Sequence, residues 1–88
     1  MEELNEKVSR IKGRLLGLLF GSKKSLSERE IIQEYLDTFG EEKERIIVKA
    51  LDDLVYKGYI NTKIVYGERV FWLSDKGRKF VLNIISGG

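Results

Sequence analysis

The fold of this chain is decided by residues 41–73, which read EEKERIIVKALDDLVYKGYINTKIVYGERVFWL. The first half has apolar residues at the spacing of one helix face, which predicts an amphipathic helix. We expect this helix to begin at Glu41, because acidic side chains in a first turn interact favourably with the positive end of the helix dipole. It ends before Gly58, since glycine accepts the left-handed conformation that closes many helices.

The second half, residues 59–73, predicts a β-hairpin because it is rich in β-branched and aromatic residues. Gly67 and Glu68 lie at its centre, and glycine at the first central position suits a type II′ turn. That turn pairs Ile64 with Phe71. Strand alternation then places Ile60, Ile64, Phe71 and Leu73 on the core face and Lys63, Val65, Val70 and Trp72 on the other face.

Residues 2–20 are predicted to form the first helix. Its early apolar residues, Leu4, Val8 and Ile11, have the spacing of a coiled-coil seam. So short a seam fits either a contact with a second copy or packing inside the chain. The first ten residues are therefore a possible dimerisation extension.

Serine caps are predicted to start the second and fourth helices. Ser27 and Glu30 have the S-x-x-E pattern of a capping box, and Leu26 before them is expected to form a short strand. Ser74 caps the last helix, which ends before a flexible tail of residues 86–88. The apolar stripe of this last helix consists of Phe80, Val81, Ile84 and Ile85.

The composition describes a single globular domain over residues 1–88. Lys and Arg number 16 against 14 Asp and Glu, and there is no Cys or His. Disulfides, imidazole bases and zinc sites built on Cys or His are excluded, and we expect no enzyme activity, metal or cofactor. No apolar run approaches the roughly 20 residues of a membrane span, so a cytoplasmic protein is expected. Abundant charge with one Met and one Gln is typical of thermophiles, although the absence of Pro points the other way.

Two motifs resemble those of winged-helix regulators. Residues 49–60, KALDDLVYKGYI, resemble the end of a recognition helix entering a wing. Residues 73–78, LSDKGR, are similar to the L-[ST]-x-x-G that follows the wing in MarR-like and PadR-like repressors. The resemblance covers residues 15–85 and implies an α+β winged helix-turn-helix. Such a fold has a three-helix core, a two-stranded β-hairpin wing and a C-terminal helix.

The resemblance implies a homodimeric, repressor-like transcription regulator that binds double-stranded DNA sequence-specifically. Its third helix would enter the major groove, while the wing would contact the backbone or the minor groove. The expected DNA-binding residues are Arg45, Val48 and Lys49 on the third helix, Lys63 and Arg69 on the wing, and Lys23, Lys24 and Arg29 near the second helix. The expected dimer residues are Leu4, Val8, Ile11, Phe80 and Ile84.

Acidic residues of the third helix support a second interpretation. Asp52 shares the exposed face with Arg45 and Lys49, and three acids precede them, namely Glu41, Glu42 and Glu44. Lys49 can pair with Asp52 or Asp53, and Arg45 with the preceding glutamates, as ordinary helix salt bridges. Trp72 adds an apolar patch on the outer hairpin face, covered either by a partner or by the same chain. The alternative function is a protein-interaction module of a larger replication or transcription assembly.

Overall fold

The computed structural model describes the backbone of residues 2–87 and the side chains of residues 6–87. Within this part of the chain there are four helices and three strands. In chain order they are α1 (Glu2–Gly21), β1 (Leu26–Ser27), α2 (Glu28–Phe39), α3 (Glu44–Tyr56), β2 (Ile60–Val65), β3 (Glu68–Leu73) and α4 (Asp75–Ile85). The predicted order of three helices, a hairpin and a final helix is confirmed, and β1 adds a third strand to the hairpin.

The three strands form one antiparallel sheet in the order β1-β3-β2. Leu26 of β1 lies opposite Phe71, as expected for a short strand beside the wing. The predicted capping box follows at once, because the Ser27 hydroxyl accepts from the Glu30 N–H and the Glu30 carboxylate accepts from the Ser27 N–H. The backbone bond from Ser27 lowers the pKa of the Glu30 carboxyl. Strand β1 thus leads directly into α2.

Helix α3 begins at Glu44, later than the predicted start at Glu41. Lys43 is its N-cap residue, with an extended backbone and no capping bond from its side chain. Glu42 lies in the α2–α3 connection, where its carboxylate accepts from the Lys43 N–H and pairs with Lys7 of α1, both at 3.2 Å. These contacts use the acidic pair to support the connection instead of the first helical turn.

The hairpin turns one residue earlier than predicted, at Tyr66-Gly67. Both residues have positive φ, 50° and 77°, as a type I′ turn requires. The pairing is therefore shifted by two residues, and Ile64 lies opposite Arg69 instead of Phe71. A shift of two leaves every side chain on its predicted face. It nevertheless moves Ile64 beyond the core, where it is 64% exposed.

The core lies between α1, α2, α3 and the inner face of the sheet. Its most deeply buried side chains include Leu15, Ile31, Tyr35, Ile47, Leu51, Ile60 and Phe71. Val8 and Ile11 belong to the same cluster, because α1 packs along α3. Of the two alternatives for the α1 seam, packing inside the chain is confirmed, and Val8 and Ile11 are not available to a second copy. The side chain of Leu4 lies outside the described residues.

A tight corner joins the end of α3 to the start of α4. The Ser74 hydroxyl accepts from the Gly77 N–H at 3.0 Å and donates to the Gly58 carbonyl, while the Ser74 N–H donates to the Tyr59 carbonyl at 3.1 Å. A Cβ atom on Gly77 would overlap the Tyr59 carbonyl oxygen. Gly58 has a φ of 85°, which favours glycine. The glycines of both quoted motifs therefore meet at one corner.

Helix α4 leaves most of its apolar stripe in solvent. Val81 is buried, but Phe80 is 42% exposed and Ile84 is 61% exposed. The backbone N–H groups of residues 86 and 87 bond to α4 carbonyls and close the helix with a turn. Gly88, the last residue of the expected tail, lies outside the described residues. Helix α4 therefore offers an apolar surface to a partner.

Candidate nucleic-acid interface

Helix α3 presents one polar stripe to solvent, at successive spacings of four, three and four residues. This α3 stripe consists of Arg45, Lys49, Asp52 and Tyr56. The buried face of the helix consists of Ile47, Ala50, Leu51 and Leu54. Val48, which was expected at the edge of the stripe, is half-buried and packs against the core. It therefore offers little surface to DNA, and the stripe consists of the four named residues.

Arg45 and Lys49 form no ion pair with any side chain of residues 6–87. The two acids that the sequence offers to Lys49 are engaged elsewhere. The Asp52 carboxylate accepts from the wing at 2.7 Å, and the Asp53 carboxylate pairs with Lys12 of α1 at 3.5 Å. The exposed face of α3 therefore carries two cationic groups whose charge is not neutralised by a neighbour.

The guanidinium of Arg69 is held by two carboxylates. Nε and Nη2 donate to Glu28 Oε1 at 2.9 and 2.7 Å, and Nη1 donates to Asp52 Oδ1 at 2.7 Å. The bond to Asp52 above all, and then the pair with Glu28, raise the pKa of Arg69 against the opposing effect of partial burial. Arg69 was expected to contact DNA. The structure uses it to connect the wing to α2 and α3.

The cleft between α2, α3 and the wing tip has more acidic than basic side chains. Glu28, Glu44 and Glu68 line it together with Arg29 and Arg69. Arg29 was expected to contact a DNA backbone, and it is exposed but surrounded by carboxylates. The field of this cleft therefore does not favour a phosphate.

The other predicted cations lie on the outer face of the wing. Lys23 and Lys24 in the α1–β1 loop and Lys63 in β2 line one cavity, together with Trp72 and Arg78. Sequence reasoning did not select Arg78, although it ends the quoted LSDKGR motif and lies one turn into α4. The predicted DNA-binding residues thus divide into three groups, on α3, in the acidic cleft and on the outer face.

Two solved structures have the same architecture. A HOP2 structure, which concerns DNA recognition and protein interaction domains and homologous DNA pairing, aligns with a TM-score of 0.66 and 22% identity over 73% of this chain and 98% of that chain. The ferric uptake regulator Fur of Vibrio cholerae, which has DNA-binding domains, aligns with a TM-score of 0.64 and 17% identity over 75% of this chain. This chain has a winged-helix fold. It spans 52% of the Fur chain.

No protein-family model matches the sequence, and no curated protein matches it significantly. Likeness at such low identity establishes the fold and leaves the chemistry to the surface residues. Among the described residues, no group of three or more His, Cys, Asp and Glu side chains is arranged to hold a metal ion. None of the described helices has the length and apolar character needed to cross a bilayer.

Proposed function

We propose that this winged-helix protein binds double-stranded DNA sequence-specifically through the α3 stripe and acts as a small transcription regulator without catalytic activity. The observation that carries this proposal is the exposure of Arg45 and Lys49 without ion-pair partners. Such groups can donate to guanine O6 and N7 in the major groove. The wing motif similar to that of MarR-like and PadR-like repressors and the likeness to Fur support a repressor-like role, which we place in the cytoplasm.

We also propose that the regulator is a homodimer formed through α4. Phe80 and Ile84 line an apolar groove of about 420 Å³ with Leu16, Leu54 and Tyr59. Pairing the same face of two copies would cover this groove twice, because a two-fold interface is self-complementary. A chain of 88 residues has a limited core of its own, so this burial would add to its stability.

Salt-dependent binding tests the DNA proposal. Anisotropy of a labelled duplex of about 20 base pairs, measured from about 20 to 200 mM salt, gives the slope of log K against log salt. We expect Arg45→Ala with Lys49→Ala to reduce this slope by about 1.8, because each phosphate contact contributes about 0.9. Selection from a randomised duplex library should enrich one sequence with the wild-type chain only.

The matched control removes the same charge elsewhere. Arg10→Ala with Lys79→Ala deletes two exposed cations from α1 and α4, outside the α3 stripe. Its salt slope should stay close to that of the wild type. The proposal fails if the control loses as much affinity as the α3 variant, or if the wild-type chain binds no duplex at the lowest salt concentration.

Solution mass tests the dimer. The wild-type chain should elute in light-scattering chromatography with twice its chain mass of 10.2 kDa. Ile84→Glu should return it to the monomer, because a carboxylate in a paired apolar interface is left without a partner. Lys79→Glu, on the same helix but outside the groove, should leave the dimer intact. A wild-type monomer at high protein concentration would contradict the proposal.

The acidic cleft favours a second candidate, the docking of a basic protein segment. Glu28, Glu44 and Glu68 line this cleft of about 550 Å³ between α2, α3 and the wing tip. Such a module would belong to a larger replication or transcription assembly, and the HOP2 neighbour also has a protein interaction domain. Binding of a Lys-rich peptide that weakens on Glu44→Gln with Glu68→Gln, without any duplex binding, would favour this function.

A further inference from the structure

A cavity of about 370 Å³ opens on the outer face of the wing, between the α1–β1 loop, the sheet and the start of α4. We call it the outer-face cavity. Its lining consists of Leu19, Ser22, Lys23, Lys24, Ser25, Lys63, Trp72, Leu73 and Arg78. The volume lies at the lower end of the range of about 300–1,000 Å³ that is typical of small-ligand sites.

The charge of this cavity has one sign. Four cations line it and no carboxylate does, although the whole chain is close to neutral with 16 basic and 14 acidic residues. None of these four cations forms an ion pair within residues 6–87. Cations gathered in a concave surface concentrate the field and attract an anion. The ligand of this cavity is therefore expected to carry several negative charges.

An aromatic ring lies among these cations. Trp72 is half-buried in β3, where the strand holds it, and the Lys63 ammonium lies 5.8 Å from its ring centroid. Arg78 also lies over an aromatic ring, that of Phe20, at 5.9 Å. Cations next to a fixed aromatic side chain are the combination that binds single-stranded nucleic acid, with phosphates on the cations and a base against the ring.

The outer-face cavity is separate from the α3 stripe. Strand alternation and the observed register place Lys63 and Trp72 on one face of the hairpin and Arg69 on the other. Arg69 reaches α2 and α3 through Glu28 and Asp52, so the α3 stripe belongs to the opposite side of the wing. The two surfaces share no residue.

We propose that the outer-face cavity binds single-stranded nucleic acid, with an unpaired base on Trp72 and the flanking phosphates on Lys23, Lys24, Lys63 and Arg78. A base inside a duplex has both faces stacked, so an aromatic side chain in a concave site requires an unpaired one. This activity is independent of the proposed contact between α3 and duplex DNA. Its ligand is a strand without a complement.

Intrinsic fluorescence tests this site directly, because Trp72 is the only tryptophan of the chain. The full chain is titrated with oligothymidylate of about 12 nucleotides at about 20 mM salt. We expect saturable quenching of Trp72 emission. A blunt duplex of equal phosphate concentration should quench less, and inorganic phosphate at the same ionic strength should not quench.

Two matched variants locate the binding. Lys23→Ala with Lys24→Ala changes two exposed loop residues that form no ion pair among the described residues, and it should leave the fold intact. We expect about tenfold weaker quenching and a salt slope smaller by about 1.4, since each contact with a single strand contributes about 0.7. Arg45→Ala with Lys49→Ala should leave both quantities unchanged, whether or not α3 binds a duplex.

Three results would overturn the proposal. The first is an absence of quenching by oligothymidylate at low salt. The second is equal quenching by duplex or by inorganic phosphate, which would make the cavity a general anion site. The third is the same loss of quenching in the α3 variant and the loop variant. Loss of duplex binding alone in the α3 variant tests the regulator proposal and leaves this one standing.

Discussion

The guanidinium of Arg69 joins three elements of the fold. It lies on β3, bonds to Glu28 at the start of α2, and bonds to Asp52 on the exposed face of α3. Its side chain is 31% exposed, so the two ion pairs are partly screened by water. A network with one guanidinium between two carboxylates is more favourable than an isolated surface pair, because the fork geometry orients several bonds at once. Arg69 therefore fixes the position of the wing.

We expect Arg69→Ala to lower the free energy of unfolding by about 1–2 kcal/mol, since bonds to charged groups contribute about 1.5–3 kcal/mol and exposure reduces this. Urea unfolding measures the change. Arg45→Ala, which removes a cation without an ion pair in the described residues, should change it by less than about 0.5 kcal/mol. Equal urea midpoints for the two variants would show that Arg69 does not hold the wing.

Glu42 stabilises the fold only above acidic pH. Burial opposes its ionisation, but the bond from the Lys43 N–H and the ion pair with Lys7 outweigh burial and lower the pKa of the Glu42 carboxyl. A carboxyl with a lowered folded-state pKa stabilises the protein above its ordinary pKa of 4.5, and this contribution is lost as the pH falls through the folded-state value.

Glu42→Gln should therefore cost up to about 1 kcal/mol at about pH 7. The two proteins should be equally stable at about pH 2, where both side chains are neutral. Thermal unfolding of the variant and the wild type across this pH range measures the difference. A difference that stays constant with pH would rule out an electrostatic origin.

At the scale of elements, the hairpin shows how a wrong turn can still give correct faces. The sequence contains Gly67 with no Asn or Asp before it, so a type II′ turn at Gly67-Glu68 is the natural prediction. The chain instead gives Tyr66 a positive φ. That choice brings Leu73 opposite Ile60 and places both in the core. Burial of these side chains therefore selects a register that local turn preferences do not.

Substitutions in the turn should show this strain. Tyr66 has a φ of 50° and is fully exposed, so it has no packing to lose. We expect Tyr66→Asn to stabilise the protein by about 0.5 kcal/mol, because Asn-Gly is favoured in type I′ turns. Gly67→Ala should destabilise it by about 1–2 kcal/mol, since the left-handed conformation is unfavourable for alanine. Urea unfolding of both variants checks the turn, and a harmless Gly67→Ala would contradict it.

Two glycines in helices should respond in opposite directions to alanine. Gly77 in α4 faces the Tyr59 carbonyl, which a Cβ atom would overlap, and we expect Gly77→Ala to cost about 2–3 kcal/mol. Gly17 in α1 has open space where a Cβ atom would lie, with no neighbouring atom within 4 Å, so Gly17→Ala should stabilise the protein by about 0.5–1 kcal/mol. Thermal unfolding measures both. Equal stability of the two variants would mean that the corner tolerates a side chain.

At the scale of the whole molecule, the net charge of +2 conceals a division of charge. The outer-face cavity is lined by cations alone, while the cleft beside the start of α3 has more carboxylates than cations. A phosphate backbone near the α3 stripe would therefore feel repulsion from Glu44 and its neighbours. The affinity of the α3 stripe for DNA is limited by these acids.

Glu44→Gln should consequently strengthen duplex binding by about two- to fivefold at about 20 mM salt, and the gain should vanish near 1 M salt, where screening acts within about 3 Å. Glu34→Gln, an equally exposed acid on α2 outside that cleft, is the matched control and should have no effect. Anisotropy with the same duplex measures both. If Glu44→Gln leaves the affinity unchanged, the duplex does not approach the start of α3.

The sequence predicted the elements, their caps and the two faces of the wing, because these depend on local patterns of apolar, serine and glycine residues. It did not predict which cations would be free. Arg69 meets Glu28, which lies 41 residues earlier, and Asp53 is taken by Lys12 of α1. Such pairs depend on how the elements pack, so the same residues that resemble a DNA-binding set are divided among three surfaces.

The corner between α3 and α4 has a consequence for any operator that this protein reads. Ser74 bonds to both Gly58 and Gly77, so the end of α3 and the start of α4 are fastened at one point. In the proposed dimer through α4, this corner would set the distance between the two α3 helices. Half-sites would then have one permitted separation, close to the helical repeat of about 34–36 Å. A single inserted base pair should abolish simultaneous contact by both subunits.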